Sequence, residues 1–360
     1  MLDSLTQNVA AGFNLSAGQV QSVVDILVDG AVPVEVKAAF LSALARKGET
    51  VEEIQAFVTA LREKSVQPGL DARQRDREIL DVVGTGGDRL STFNISTTVA
   101  LLASAAGVAV AKHGNRASTS SIGSADVMDA LGLPFELEPA AAAAMLRDHG
   151  FAFFFAPKYH PAFKHIIPAR KWCAERGQPT IFNYLGPLLN PARPSAMLVG
   201  VSRPDLCQPF ARVLQALGVR RAMVVCGKVP AGRGAGDSGD RYLDELSTLG
   251  ESTVAEFYQE RGLSSSLLAP DQFPIQRATL DDLRGGDREV NARIIRSILS
   301  GEERGPKRDA VLLNAAAALW VAGAAKSMSE GWDLAAAVID DGRAKRKLEE
   351  LQRVQRSGAD

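Results

Sequence analysis

From residue 77 to about 230 the chain alternates short apolar runs with helical patterns, and this constrains its fold more than any other feature. The apolar runs fall at 79–83, 108–111, 152–155, 197–201 and 222–225, with helical stretches such as 97–106 and 206–217 between them. Strand and helix in alternation predict a mostly parallel sheet covered by helices. In such a sheet the strand C-terminal ends share one edge, and ligands bind there.

The segments on either side read differently. Residues 1–65 are helical in pattern. Ser16 to Gln19 and Thr50 to Glu53 have capping-box spacing, with a hydroxyl three residues before a Gln or Glu. Val20, Val23 and Val24 give one helix an apolar face, and Phe40, Leu41 and Leu44 give the next one. A small helical bundle is expected. Residues 66–76, punctuated by Pro68 and Gly69, read as a linker, and the Gly-rich run 227–241 reads as structureless. The last ninety residues return to helical patterns.

Charge and cysteine usage narrow the function. Lys plus Arg is 41 and Asp plus Glu is 42, so the net charge is −1. That balance gives no support to non-specific nucleic-acid binding, which needs a basic footprint. Cys173, Cys207 and Cys226 are far apart, odd in number and without CxxC spacing. They read as reduced thiols in a cytoplasmic protein. The start Met1-Leu2-Asp3 lacks the basic region of a signal peptide, and no apolar run reaches membrane-span length.

Three places carry chemistry. The first strand runs into Gly84-Thr85-Gly86-Gly87-Asp88, and Asn94-Ile95-Ser96-Thr97 then opens an apolar helix. Glycines let backbone N–H groups approach phosphate oxygens, and a helix N-terminus favours negative charge. Neither the dinucleotide fingerprint nor a P-loop is present. Taken alone, the pattern fits a tight turn equally well. The second strand ends in Lys112-His113-Gly114-Asn115-Arg116, followed by the hydroxyl-rich loop 117–124. Two such loops after consecutive strands point to one polyanion, with cations supplying charge and hydroxyls neutral donors. The third place is Asp244-Glu245 between Leu243 and Leu246. Mg²⁺ binds phosphate substrates through one or two carboxylates, although two exposed acids fit the pattern as well.

In order and spacing these motifs resemble the anthranilate phosphoribosyltransferase family. So do Gly123-Ser124-Ala125-Asp126, Tyr159-His160-Pro161, Arg170, Ile181-Phe182-Asn183, Leu185-Gly186-Pro187, Asn190-Pro191 and Leu313-Asn314-Ala315. The resemblance spans nearly the whole chain. It implies an α/β fold of the nucleoside phosphorylase and class III phosphoribosyltransferase type. A helical domain at 1–70, completed by a segment near 165–190, would face a larger α/β domain at 77–360 across the active-site cleft, usually in a homodimer.

The implied reaction transfers the phosphoribosyl group of phosphoribosyl pyrophosphate (PRPP) to the amine of anthranilate, a step of tryptophan biosynthesis. Carried over, Gly84, Gly87, Asp88, Thr92, Asn94, Ile95, Ser96 and Thr97 would hold PRPP. So would Lys112, His113, Gly114, Asn115, Arg116, Ala117, Ser118, Thr119, Ser120 and Ser124. Ser96, Asp244 and Glu245 would hold Mg²⁺, and Gly84, Asn115 and Arg170 would meet anthranilate. No covalent nucleophile is expected. His113 and His160 are candidates to line the acceptor path.

Two departures stand out. Ser121 and Ile122 occupy positions where the family usually has Lys or Arg and then Ser or Ala. The Gly-rich insertion before Asp244 is also longer than expected. Two other readings share the fold: a pyrimidine nucleoside phosphorylase, whose phosphate-loop pattern is not matched, and a nucleic-acid-binding relative without catalysis. The intact glycine loop and the near-neutral charge speak against the second.

Overall fold

The computed structural model describes residues 1–116, 122–231, 239–259 and 261–357. Among the described residues eight strands form one sheet: β1 (Ile79–Gly84), β2 (Ala109–Gly114), β3 (Phe151–Phe155), β4 (Ala196–Gly200), β5 (Arg221–Val229), β6 (Arg241–Leu243), β7 (Ser252–Tyr258) and β8 (Arg261–Leu268). The order is β3-β2-β1-β4-β5-β7-β8, with β6 beside β5. β3, β2, β1, β4 and β5 run parallel, so five strand ends share one edge as the alternation predicted. β6, β7 and β8 are antiparallel additions.

Side-chain alternation along the parallel strands feeds two cores. Leu80, Val82, Leu198, Met223 and Val225 face one side, packing with the helices Ile95–Ala105, Pro306–Val321 and Met328–Asp340. Met197, Val199, Ala222, Val224 and Cys226 face the other side and join the helix Cys207–Ala216. A period of two that fills both faces is what a sheet sandwiched between helices requires.

The N-terminal segment folds as four helices, Leu2–Ala10, Ala17–Leu27, Val34–Lys47 and Val51–Glu63. Both capping boxes form: Gln19 N–H donates to Ser16 and Glu53 N–H to Thr50, with the reciprocal bonds present. Phe40, Leu41, Phe57 and Val58 are fully buried and share one core with Ile166, Ala169, Cys173, Leu188 and Leu189. That core is continuous with Met197 and Val199 beneath the sheet, so the bundle is seated on it.

Two readings are corrected. Residues 66–76 are more than a linker: Leu70 is buried in the sheet's core, and Asp71 caps the short helix Ala72–Arg75. The run 227–241 is not structureless throughout. Gly227–Val229 complete β5 and pair with β6, and Lys228 meets Asp240 at 2.8 Å. Residues 232–238 lie outside the described residues. All three cysteines are free and buried. Among the described residues no helix is long and apolar enough to cross a membrane.

Candidate active site at the carboxyl edge of the sheet

β1, β2, β4 and β5 reach the carboxyl edge as Gly84, Gly114, Gly200 and Gly227. These glycines are needed for close approach. A Cβ on Gly84 would press into the Asp244 carboxylate, one on Gly200 into the Asp244 backbone, and one on Gly227 into the backbone at Glu245 and Ser247. Their absent side chains let the 244–247 segment lie flat across the strand ends. Asn314 holds it from below: its Oδ1 accepts Leu246 N–H at 2.9 Å, and its Nδ2 donates to Leu246 O at 3.0 Å.

The segment delivers its two acids to the glycine loop and to the following helix. Asp244 Oδ2 accepts Gly86 N–H at 2.6 Å. The Glu245 carboxylate bonds the backbone of Ser96, in the first turn of the helix Ile95–Ala105. Burial raises Asp244 to about 7, and the neighbouring Asp88 adds to the rise. Burial also lifts Glu245 well above the usual carboxylate range, helped by Asp244. Asp88 itself is raised by burial. Crowded, desolvated acids of one sign repel one another, and positive charge would relieve them. Among the described residues no three His, Cys, Asp or Glu side chains form a ready-made metal cluster. A divalent cation here would therefore need oxygens from its substrate as well.

The loop between strand and helix is strained. Gly86 and Gly87 have φ of 71° and 87°, and the non-glycine residues Arg89 and Ser91 have φ of 57° and 56°. Such conformations persist only when the surroundings impose them, and they concentrate at functional sites. Part of that imposition comes from far along the chain. Asn291 donates to Asn94 Oδ1 at 3.0 Å, and its own Oδ1 accepts Gly286 N–H at 2.9 Å. Gly285 N–H donates to Ser91 O at 2.9 Å, and Thr92 bridges to Arg284.

Lys112 lies beneath this loop. It is 2 % exposed, and its Nζ donates to Val82 O at 2.7 Å and Ser96 Oγ at 3.4 Å. Burial lowers its pKa, against the pull of Asp81 and Glu245. Asp81, wholly buried, is raised to about 6 by burial while Lys112 and Asn190 oppose the rise. Asn190 donates to Asp81 Oδ2 at 2.8 Å and to Ala111 O at 2.7 Å, tying the middles of β1 and β2 together.

A second arm runs from the end of β2 toward the helical bundle. The rings of His113 and His160 lie 5.4 Å apart, His160 and Phe163 5.2 Å, and Phe163 and Phe182 5.8 Å. The Arg170 guanidinium sits over Phe182 at 5.6 Å. Burial lowers the pKa of Arg170, and it makes no ion pair among the described residues. An arginine drawn out of water without a counter-charge is poised for an anionic ligand.

Comparison with known proteins decides the family. A family model described as "Glycosyl transferase family, a/b domain" matches residues 76–345, and one described as "Glycosyl transferase family, helical bundle domain" matches residues 3–65. Anthranilate phosphoribosyltransferase of Petrotoga mobilis is 41% identical, covering 98% of this chain and 96% of the relative. That of Geobacter sp. strain M21 is 44% identical over 94% of each. The crystal structure of anthranilate phosphoribosyltransferase from Thermus thermophilus has a TM-score of 0.84 at 40% identity, covering 98% of this chain and 99% of that one. The Saccharomyces cerevisiae enzyme in complex with PRPP and Mg has a TM-score of 0.84 at 28% identity, covering 99% of this chain and 98% of that one.

This chain belongs to the anthranilate phosphoribosyltransferase family.

Within the family frame, the residues expected at the site sort by position. Gly84, Asp88, Ser96, Lys112, Asp244 and Glu245 are brought together at the carboxyl edge, with Gly87 in the strained turn beside them. Asn94 stands at the N-cap position of the helix, Ile95 is buried in its first turn, and Thr97 is buried with an unbonded Oγ1. Gly114 and Ser124 touch, since a Cβ on the glycine would meet the serine Oγ. Asn115 accepts Arg116 N–H at 2.8 Å on its side chain and Ala125 N–H at 3.1 Å on its carbonyl. Arg116 is turned away from the acids, to Asp126 at 3.0 Å and over Phe135 at 5.1 Å. Ala117, Ser118, Thr119 and Ser120, with the departure at Ser121, lie outside the described residues.

Sequence reasoning missed Gly200, Gly227, Asn291 and the site role of Asn190. Gly200 and Gly227 were legible in principle as glycines near the carboxyl ends of the apolar runs 197–201 and 222–225. Asn291 gave no local signal for its contact with the site, because Asn94 lies 197 residues away.

Proposed function

We propose that this chain transfers the phosphoribosyl group of PRPP to the amine of anthranilate, releasing pyrophosphate, with Mg²⁺, in tryptophan biosynthesis. The observation that carries the reading is the meeting of Asp244 and Glu245 with the Gly86 N–H, the Ser96 backbone and Lys112 at one sheet edge. The donor set fits Mg²⁺: Ser96, Asp244 and Glu245 offer hard oxygens, and the crowding of carboxylates is relieved by a divalent cation. Bound there, Mg²⁺ would neutralise charge on the departing pyrophosphate.

The chain's own groups do the rest. The carbon–oxygen bond between ribose C1 and pyrophosphate breaks as the bond from C1 to the amine nitrogen forms, and the nitrogen sheds one proton. The aromatic amine is neutral at pH 7, so no strong base precedes attack. The demanding event is charge separation. Backbone N–H groups of the strained loop at Gly87 and Asp88, the helix N-terminus at Asn94 to Thr97, and the cations Lys112 and Arg116 would stabilise the leaving charge. Gly84, Thr92, His113, Gly114, Asn115 and Ser124 would complete the PRPP cradle with residues 117–120. Gly84, Asn115 and Arg170 would hold anthranilate, the guanidinium fork matching its planar carboxylate. We further propose a helical domain at 1–70 with 165–190, an α/β domain at 77–360, a homodimer, and a cytoplasmic location.

Anthranilate fluorescence tests the reading. The signal should fall when the protein is mixed with PRPP and Mg²⁺, and hold steady when either is withheld. A steady signal with both present, in protein shown to be folded, would refute it.

A further inference from the structure

A well-defined concavity lies away from the carboxyl edge. It lies at the opposite, amino edge of the sheet, where β1 and β5 begin. β1 alone, six residues long, separates the two edges by roughly 20 Å. A cavity of about 510 Å³ is lined there by Glu78, Arg220, Arg221, Tyr258, Trp320 and Lys326, among others. A second hollow of about 330 Å³ shares Glu78 and Gly323 with it, so the two form one groove floored by alanine and glycine.

The lining has a definite chemistry. Arg220 is paired with Glu78 at 2.9 Å. Arg221 and Lys326 form no ion pair among the described residues. Arg221 donates to Trp320 O at 3.0 Å, which fixes its guanidinium at the end of the helix Pro306–Val321. Its Nε is enclosed by protein and bonds to nothing described. The guanidinium stands over Tyr258 at 5.1 Å, and the Tyr258 and Trp320 rings are 5.8 Å apart at 35°. The Tyr258 hydroxyl donates to Glu256 at 3.0 Å, which holds the ring in place. Gly323 has a φ of 74°, and a Cβ there would meet the Arg221 guanidinium at 2.6 Å, so the glycine keeps the groove open beside the arginine.

Two uncompensated cations beside two aromatic faces select a ligand class. A neutral ligand would cover Arg221 and Lys326, which line the groove without an ion pair among the described residues, and supply no counter-charge, which costs free energy. A bare inorganic anion would leave the aromatic walls unused, and the volume lies in the range of small-molecule sites. None of the carboxylates or strained glycine turns of the carboxyl edge is present, so the groove binds without reacting. We propose that it is a second ligand site for a small planar aromatic anion. The ring packs on Tyr258 and Trp320, and a carboxylate or phosphate on that ring meets Arg221 and Lys326.

The test is titration calorimetry on the full chain, with Mg²⁺ and pyrophosphate kept saturating so that the carboxyl edge is filled. The probes are indole-3-acetate, adenosine monophosphate and inorganic phosphate. At least one of the two aromatic anions should bind, and which one does identifies the head group as carboxylate or phosphate. Lys326→Gln should weaken that binding about tenfold, the scale of one charge-assisted hydrogen bond. Lys326 is exposed, so the fold is safe in this variant, and Arg221→Gln serves as the second. Michaelis constants for PRPP and anthranilate should not move in Lys326→Gln. Failure of both aromatic anions to bind would overturn the proposal. So would binding untouched by either substitution, or inorganic phosphate binding as tightly as the aromatic anions.

Discussion

The Asp244 carboxylate accepts the Gly86 N–H at 2.6 Å across 158 residues of chain. One bond thereby fixes the acidic segment against the glycine loop, and both sit where β1 and β4 end. The geometry depends on the missing side chain of Gly200, directly beneath the Asp244 backbone. Gly200→Ala should push the segment away while leaving the strands paired. Misplacement of catalytic groups by about 1 Å costs on the order of 10²-fold in rate, and a loss of that size is expected. Circular dichroism should show the fold intact. Near-normal turnover would mean that the segment's position is not critical.

Asp244 and Glu245 predict the metal requirement directly. Asp244→Asn keeps an acceptor for Gly86 but removes charge. Turnover should fall, and half-maximal activity should need more Mg²⁺ than in the wild type. Steady-state assays across a Mg²⁺ series would show this, and an unchanged Mg²⁺ curve would take Asp244 out of the metal site.

The helical bundle carries its own test of packing electrostatics. Glu53 is fully buried, meets Lys47 at 2.7 Å and accepts the backbone N–H groups of Leu15 and Thr50 at 2.8 and 2.9 Å. Breaking such a pair strands a buried charge and costs about 3–5 kcal/mol. Glu53→Ala should destabilise the protein by that amount in urea unfolding. Adding Lys47→Met should recover only part, because the two N–H groups stay unpaired. A loss below about 1 kcal/mol would show that water replaces the carboxylate.

Most of the architecture was legible in the sequence, for a physical reason. The five parallel strands are buried on both faces and read as apolar runs between helical patterns. β7 and β8 went unread because they form an antiparallel edge hairpin. Arg261–Leu268 reads Arg-Gly-Leu-Ser-Ser-Ser-Leu-Leu, with too little apolar alternation to signal a strand. At the site, local motifs revealed the two anion loops and the Asp244–Glu245 pair. Their convergence was visible only as an inference from parallel topology. Gly200 beneath Asp244 and Asn291 against Asn94 are contacts between distant segments, and neither leaves a trace in local spacing.

The buried histidines predict a pH effect on stability. Burial drives His113 well below its ordinary value and His160 down to about 4. Both are therefore neutral when folded, while the unfolded chain takes up protons below about pH 6.5. The unfolded state binds more protons in that window, so this contribution is complete above about pH 6.5 and is lost as pH falls toward 4. Each histidine contributes a slope of up to about 1.4 kcal/mol per pH unit. Asp81 and Asp244 act in the opposite sense, since their raised values favour the folded state as pH falls. The total profile is thus a mixture, and the informative quantity is a difference between proteins. His160→Gln retains a donor for Leu189 O, which His160 Nε2 meets at 3.0 Å, and removes the titration. Between pH 7 and pH 5 the variant should lose less stability than the wild type in urea unfolding. Parallel profiles would mean that His160 takes up its proton without unfolding.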